Sequence, residues 1–179
     1  MEMGNLLSQQ GSPSPRFVIA QVVLRVLAVL STVVSVYVMA NSSDSITMFG
    51  VTFFAKYYYS SAFRFLLVAD AVVCSLVLFS LIGVYILLKK KPNPNSWFVL
   101  FLHDLVVMVL MISACGAASA IGYVALHGQM ETAWLRICDR VGRFCRKVGV
   151  SLGLSYMAFL CLFALTIISC HKLKTHVRP

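Results

Sequence analysis

Residues 97–126 have the sequence WFVLFLHDLVVMVLMISACGAASAIGYVAL. This run of 30 residues contains a single charged residue, Asp104, and no proline. A helix of about 20 apolar residues, rising 1.5 Å per residue, crosses a hydrocarbon core about 30 Å thick. A helix of a soluble bundle carries a polar stripe along one side, and none is present here. The run therefore predicts a transmembrane helix long enough to tilt or to project beyond the membrane.

Three other stretches have the same character, residues 17–40, 65–88 and 148–170. Residues 17–40 hold one charged residue, Arg25, residues 65–88 hold one, Asp70, and residues 148–170 hold none. In chain order these are the first, second and fourth spans, and residues 97–126 are the third. The whole chain is 60% hydrophobic and 12% charged, whereas an average soluble domain has about 45–50% apolar and about 25% charged residues. None of the stretches shows the strict alternation of a barrel strand. The sequence therefore predicts an all-α membrane protein, a four-transmembrane-helix bundle, rather than a soluble enzyme domain.

The four spans define one membrane domain over residues 17–170, with a tail at each end. Residues 1–16 include the run Ser-Pro-Ser-Pro and are predicted to form a disordered tail. Residues 171–179 are predicted to form a short basic tail. Because the chain crosses the membrane four times, both tails lie on the same side.

Charge alone does not orient this bundle. The side with both tails holds seven lysines and arginines, and the other side also holds seven, so the positive-inside rule gives a tie. The three lysines at 89–91 lie in a very short loop at the membrane surface. Cys138 and Cys145 lie in a polar loop, where an oxidising exterior would link them. We therefore expect cytoplasmic termini and a Cys138–Cys145 disulfide in the second outer loop.

Two of the intramembrane charges lie at matching depth. Arg25 is eight residues beyond Phe17, and Asp104 is seven residues beyond Trp97. Both depths are about 11–12 Å from the inner boundary. We therefore predict an Arg25–Asp104 ion pair that joins the first and third spans. A buried latch that fixes helix partners is the favoured role, and a proton or ion path is the alternative.

The third intramembrane charge, Asp70, lies at a different depth. It precedes Leu88 by eighteen residues, which places it about 27 Å from the inner boundary, near the outer interface. The mismatch with Arg25 is too large for a side chain to bridge. We expect Asp70 to reach outward, toward Lys56, Arg64 or the second outer loop, between the third and fourth spans.

Small residues at helical spacing predict close helix packing in lipid. Gly149 and Gly153 form a GxxxG motif at the start of the fourth span, and Gly116 and Ala120 have the same spacing in the third. Packing within one bundle is the favoured interpretation. Contact between subunits of an oligomer is the alternative.

The first outer loop begins with a sequon for N-glycosylation. Asn41-Ser42-Ser43 places the acceptor Asn41 almost at the membrane surface. Aromatic residues later in the loop, from Phe49 to Tyr59, are typical of an interfacial belt.

No pattern of a catalytic site is present. The sequence contains no phosphate-binding loop, no Ser/His/Asp set, no paired carboxylates and no His/Cys spacing for a metal, so we expect neither an enzyme nor a bound cofactor or metal. The net charge is +9, but it is scattered over short loops on both faces. Membrane lipid headgroups are therefore the expected partner, rather than nucleic acid.

Six segments carry a resemblance to known proteins, and they are Leu24-Arg25-Val26-Leu27, Val38-Met39-Ala40-Asn41, Tyr59-Ser60-Ser61-Ala62-Phe63, Val68-Ala69-Asp70-Ala71, Trp134-Leu135-Arg136-Ile137-Cys138 and Phe144-Cys145. In these segments the chain resembles a plant family, the CASP-like proteins, which are relatives of the Casparian strip membrane proteins and more distantly of MARVEL-domain proteins. The resemblance covers nearly the whole chain after the first tail, and Arg25 and Asp104 fall where the family has a helix-one arginine and a helix-three aspartate.

The resemblance implies a MARVEL-like fold, cytoplasmic termini, a plasma-membrane location, and homo-oligomers or hetero-oligomers with related four-span proteins. Casparian strip members form an immobile membrane scaffold that recruits enzymes that modify the adjacent cell wall. The first outer loop here departs from the extended signature of the strip-forming members. The resemblance therefore implies a generic scaffold that organises a membrane domain. A small transporter or channel is the alternative, and a tetraspanin- or claudin-type adhesion protein is a weaker one.

Overall fold

A computed structural model describes residues 15–48, 51–89, 94–128 and 136–177. Over these residues the chain forms four long α-helices, which are α1 (Pro15–Ala40), α2 (Ser61–Lys89), α3 (Pro94–His127) and α4 (Gly142–Val177). Each helix contains a segment long and apolar enough to cross a membrane, namely Arg16–Ala40, Ser61–Ile86, Phe98–His127 and Gly142–His171. The predicted four-helix membrane fold is confirmed.

The helix ends follow the helix-breaking residues of the sequence. Pro94 is the first residue of α3, a position at which the missing amide hydrogen of proline costs nothing. Gly128 follows the last residue of α3 with a φ of 70°, and its amide donates to the carbonyl of Val124. Such a left-handed glycine is a common helix terminator. Helix α4 continues to Val177, through most of the segment predicted as a basic tail, because proline next occurs at Pro179.

Of the predicted first tail, residues 1–14 lie outside the described residues, whereas Pro15 and Arg16 already belong to α1. The loop between α1 and α2 contains an element that the hydropathy pattern does not reveal. Strands β1 (Ser43–Met48) and β2 (Val51–Lys56) pair in an antiparallel hairpin, with Ser43 opposite Lys56. A 3-10 turn at Tyr57–Tyr59 then leads into α2.

The four helices pack as a square. Helix α1 packs against α2 and α4, and α3 packs against the same two helices, so that α1 and α3 face each other across one diagonal. The interior between them is apolar, with the side chains of Leu66, Val73, Val77, Val107, Met111, Leu162 and Leu165 buried.

The exterior of the bundle is also apolar. Phe79 is 70% exposed, Val99 is 64% exposed, and every helix carries further exposed aliphatic and aromatic side chains. A soluble protein rarely exposes apolar surface on this scale. The exposed surface therefore fits lipid, and the chain is a multi-pass membrane protein.

Candidate functional site

The residues predicted to form an ion pair lie in direct contact. Arg25 Nη1 donates to Asp104 Oδ1 at 2.8 Å, and Arg25 Nη2 donates to Asp104 Oδ2 at 2.7 Å. The pair is closed to solvent and lipid, since Arg25 is 0% exposed and Asp104 is 1% exposed. Two parallel bonds match the guanidinium fork to the carboxylate plane. The contact spans the α1–α3 diagonal of the square.

Three uncharged side chains extend this contact to the other helices. Arg25 Nη1 also donates to Ser80 Oγ of α2 at 2.7 Å, and Arg25 Nη2 donates to Gln21 Oε1 at 3.1 Å. Gln21 Nε2 in turn donates to Ser169 Oγ of α4 at 3.1 Å. We call these five residues the Arg25 layer. It joins all four helices near the end of the bundle that carries both chain termini.

Asp70 does not reach outward, so that prediction is wrong. Its side chain is 1% exposed and lies inside the bundle. Asp70 Oδ2 accepts hydrogen bonds from Ser35 Oγ of α1 at 2.6 Å and from Ser155 Oγ of α4 at 2.8 Å. The outward prediction failed because it considered only cationic partners, and hydroxyl groups were available at the same depth.

A third serine completes the surroundings of Asp70. Ser151 Oγ lies 2.8 Å from Ser35 Oγ and donates to the backbone carbonyl of Ser35 at 3.1 Å. We call Ser35, Asp70, Ser151 and Ser155 the Asp70 layer. It joins α2 to α4 across the second diagonal, with α1 between them.

The sequence carried a signal for two of these missed partners. Ser80 precedes Leu88 by eight residues, which places it about 12 Å from the inner boundary, level with Arg25. Ser35 follows Phe17 by eighteen residues and so lies about 27 Å deep, level with Asp70. Depth arithmetic applied to serines as well as charges identifies both.

The two polar layers are separated by buried apolar residues. Arg25 and Ser35 are ten residues apart on α1, or about 15 Å along the helix. Ala28, Val73, Val107, Met111 and Leu162 are all at most 1% exposed. Two buried hydroxyls, those of Thr32 and Thr166, also lie between the layers, and each donates to a backbone carbonyl of its own helix. The described residues therefore show no continuous polar path from one layer to the other.

The small residues predicted to pack within the bundle face outward instead. Gly116, Ala120, Gly149 and Gly153 are exposed, and a Cβ built at any of the three glycines meets nothing within 4 Å. The small residues of α3 that do pack inside are Ala114, Cys115 and Ala118, all 0% exposed. Packing within one bundle is therefore the wrong interpretation of these four residues, and subunit contact stays a prediction.

The α3–α4 loop is held by a covalent bridge. Cys138 and Cys145 form a disulfide with a Cα–Cα distance of 5.7 Å, joining the turn before α4 to its first turn. The amide of Cys138 donates to the carbonyl of Ala125 in α3. Phe144 is buried and meets the ring of Phe63 edge-on, with centroids 6.3 Å apart. The described end of the loop is therefore anchored on α3, and the first turn of α4 is anchored on α2.

The predicted acceptor Asn41 lies in the turn directly after α1, and its side chain is exposed. Its Nδ2 donates to the carbonyl of Tyr37 at 2.9 Å, and Lys147 Nζ of α4 donates to the carbonyl of Asn41 at 2.9 Å. Asn41 therefore lies at the membrane boundary, as the span limits indicate, and its glycosylation stays a prediction.

A basic surface lies beside the bridge. Arg140, Arg143 and Arg146, together with Gly142, line an open cavity of about 490 Å³ at the start of α4. Arg146 is two residues from the apolar span that begins at Val148, at the height of lipid headgroups. Among the described residues, no three His, Cys, Asp or Glu side chains are close enough together to hold a metal ion.

Comparison with known proteins agrees with this architecture. The family model of the Casparian strip membrane protein domain matches residues 14–161. CASP-like protein 1F2 of Ricinus communis is 44% identical over 163 residues, which are 90% of this chain and 81% of the relative. CASP-like protein 1F2 of Vitis vinifera is 44% identical over 170 residues, 94% of this chain and 89% of the relative.

A third relative, CASP-like protein 1F1 of Arabidopsis thaliana, is 38% identical over 149 residues, 83% of this chain and 86% of the relative. No solved structure matches the chain. The family model covers most of the chain, and the relatives match over most of their own lengths. The chain therefore belongs to the CASP-like membrane proteins of plants, which carry the Casparian strip membrane protein domain.

Proposed function

We propose that the protein is a non-enzymatic scaffold of the plasma membrane, which oligomerises to form or organise a membrane domain. The observation that carries the proposal is the distribution of its polar and small residues. The buried polar side chains of the two layers bind helix to helix, while the exterior is apolar and carries small residues. Such a molecule has a rigid interior and a surface suited to lateral contact with other four-span proteins.

Lateral contact is supported by the four outward-facing small residues. Gly149 and Gly153 lie one turn apart on α4, and Gly116 and Ala120 lie one turn apart on α3. Within one chain these positions pack against nothing, as the open space around the glycines indicates. In lipid, small residues allow two helix backbones to approach closely and so stabilise a dimer.

Cytoplasmic termini belong to the same proposal. The bridged α3–α4 loop then faces the exterior, where disulfides persist. In this orientation its arginines contact the phosphates of the outer headgroups, and we propose that enzymes that modify the cell wall bind the loop. Exposed Cys170, at the opposite end of α4, faces the cytoplasm in this orientation.

The experiment substitutes the outward glycines in the full-length chain. Gly149→Leu with Gly153→Leu prevents the close approach of two helix backbones. We expect the association constant of the protein in membranes to fall about tenfold, which corresponds to about 1.4 kcal/mol. Single-molecule photobleaching counts the subunits in each cluster. Fluorescence recovery after photobleaching then measures mobility, which should rise in the variant.

Gly83→Leu is the matched control. Gly83 also has open space around it, but Phe79 and Leu87, four residues away on either side, are large. The Gly83→Leu variant should have the same cluster size and mobility as the unmodified protein. A monomeric, freely diffusing wild-type protein would refute the scaffold proposal, and equal clustering of all variants would refute these helix faces as the contact.

A further inference from the structure

Asp70 is a buried carboxyl group without a cationic partner. Its Oδ1 is buried and accepts no hydrogen bond, and its Oδ2 contacts only serine hydroxyls. No Lys, Arg or His within the described ranges pairs with it, in contrast to Asp104, which holds the guanidinium of Arg25. A lone carboxylate at this depth in a membrane is strongly disfavoured. One positive charge must therefore accompany the ionised form, or the group must be neutral.

Counting protons indicates what is missing. Ser35 Oγ lies 2.6 Å from Asp70 Oδ2 and 3.0 Å from the carbonyl oxygen of Ser151. Ser155 Oγ lies 2.8 Å from the same carboxyl oxygen and 3.1 Å from the same carbonyl. Four short contacts thus join two hydroxyls to two acceptors. A hydroxyl has one proton to donate, so an ionised Asp70 leaves two of the four contacts without a proton.

A proton on Asp70 supplies a third proton for these four contacts and leaves only one of them, from Ser155 Oγ to the carbonyl of Ser151, without a proton. Asp70 Oδ2–H then donates to Ser35 Oγ, which frees the proton of Ser35 for the carbonyl of Ser151. Ser155 donates to Asp70 Oδ2, and Ser151 continues to donate to the carbonyl of Ser35. The unpartnered Oδ1 becomes the carbonyl oxygen of a neutral acid, which loses far less than a carboxylate oxygen when it lacks a donor.

We propose that the Asp70 layer is a proton-binding site, in which Asp70 is a neutral acid that links α2 to α1 and α4. The oxygen atoms are already within hydrogen-bond distance of one another, so the site is filled by a proton rather than by a larger cation. The titratable group that faces it from α3 is the buried thiol of Cys115. From α1 and α4 the facing groups are hydroxyls.

The proposal has a consequence for stability. The folded protein holds a proton that the unfolded chain releases, so the folded state binds more protons than the unfolded state. Stability therefore falls as the pH is raised. Deprotonation places an unpaired charge between three helices at the end of the bundle nearest the hairpin.

Asp70→Asn tests the proposal in the purified full-length protein. The amide Nδ2 carries no charge and has two protons, which it donates to Ser35 Oγ and Ser155 Oγ, while Ser155 donates to the carbonyl of Ser151. The amide therefore replaces the neutral acid without adding a buried charge. At mildly acidic pH the variant should melt within about 2 °C of the unmodified protein in detergent, and its melting temperature should no longer fall as the pH is raised. Asp104→Asn is the matched control, because it leaves Arg25 without its counter-charge. It should lower the melting temperature by about 5 °C or more.

Two outcomes would overturn the proposal. If Asp70→Asn is as damaging as Asp104→Asn at acidic pH, the carboxylate itself is required. If replacing choline with sodium raises the melting temperature of the unmodified protein but not of Asp70→Asn, a sodium ion compensates the charge.

A measurement without any variant completes the test. Infrared spectra of protein with ¹³C-labelled aspartate should show the carbonyl band of a protonated carboxylic acid, which disappears as the pH is raised. Carboxylate bands alone at acidic pH would contradict a neutral Asp70.

Discussion

At the scale of single residues, the two buried aspartates have opposite surroundings. Asp104 receives two charge-assisted bonds from Arg25, so its charge is cancelled in place. Asp70 receives hydroxyl bonds on one oxygen only. The same residue type therefore serves as one half of an ion pair in one layer and as the centre of a hydroxyl cluster in the other.

Removing one member of the ion pair should be costly. Arg25→Ala or Asp104→Ala leaves an uncompensated buried charge, which we expect to destabilise the fold by about 3–5 kcal/mol. Exchanging the residues, with Asp at 25 and Arg at 104, should restore part of this, because the opposite charges again meet across the diagonal. Restoration is incomplete, since Ser80 and Gln21 no longer face the guanidinium.

The measurement is the yield of folded protein by size-exclusion chromatography and its melting temperature, for both single variants and the exchange. Equal yields from all of them would mean that the pair does not hold the bundle together. If the exchange variant has a yield and a melting temperature no higher than those of the worse single variant, the loss of stability comes from lost packing rather than from the unpaired charge.

Depth along a helix was the most informative quantity that the sequence supplied. It paired Arg25 with Asp104, which are in contact, because helix rise converts residue number directly into height. It misplaced Asp70 because height alone does not say which way a side chain faces. Ser35 and Ser155 make the inward direction favourable, and their contribution depends on the rotation of α1 and α4, which hydropathy does not fix.

At the scale of elements, the helices were predictable and their connections were not. Long apolar runs without proline establish four helices, whereas α4 extends to Val177 because nothing breaks it beyond the membrane. The hairpin of β1 and β2 is formed by ladder hydrogen bonds between short, mixed segments. Such segments lack a hydropathy signal, and a two-stranded hairpin depends on its attachment to the rest of the fold.

The small residues give the same lesson about rotation. Their spacing places Gly149 and Gly153 on one side of α4, but the spacing does not say whether that side meets a helix of the same chain. The bundle uses the opposite side, where Ser151, Ser155 and Ala158 are buried. The GxxxG side is therefore left for lipid or for another subunit.

The Cys138–Cys145 bridge makes a prediction about the α3–α4 loop. The bridge joins residues seven apart, and chain entropy for so short a loop corresponds to about 2.5 kcal/mol. Cys138→Ser should lower the melting temperature, and a reductant should lower that of the unmodified protein by the same amount. The exposed, free Cys170 provides the control, because Cys170→Ser should change neither value.

The same cysteines report the orientation of the loop. A membrane-impermeant reductant and maleimide applied to intact cells should label the bridge cysteines, whereas Cys170 should require permeabilisation. The reverse pattern would place the termini outside. A melting temperature that does not respond to reductant would show that the bridge leaves stability unaffected.

At the scale of the whole molecule, the two polar layers cross the square along different diagonals. The Arg25 layer ties α1 to α3, and the Asp70 layer ties α2 to α4. Each diagonal contact fixes the pair of helices that the square packing leaves apart. Together with the apolar segment between them, the layers specify one arrangement of four helices that are otherwise uniformly apolar, in a solvent that gives no hydrophobic preference for any arrangement.

This arrangement favours the proposed scaffold over a channel. Conduction requires polar groups along a continuous path. The buried side chains between Arg25 and Ser35 are mostly apolar, and the buried hydroxyl of Thr32 donates to carbonyls of its own helix. Purified protein in liposomes should therefore give proton and sodium leaks equal to those of protein-free liposomes, with an ionophore as the positive control. A leak that rises with protein content and is abolished by Asp70→Asn would instead join the Asp70 layer to a transport path, and it would overturn the scaffold proposal.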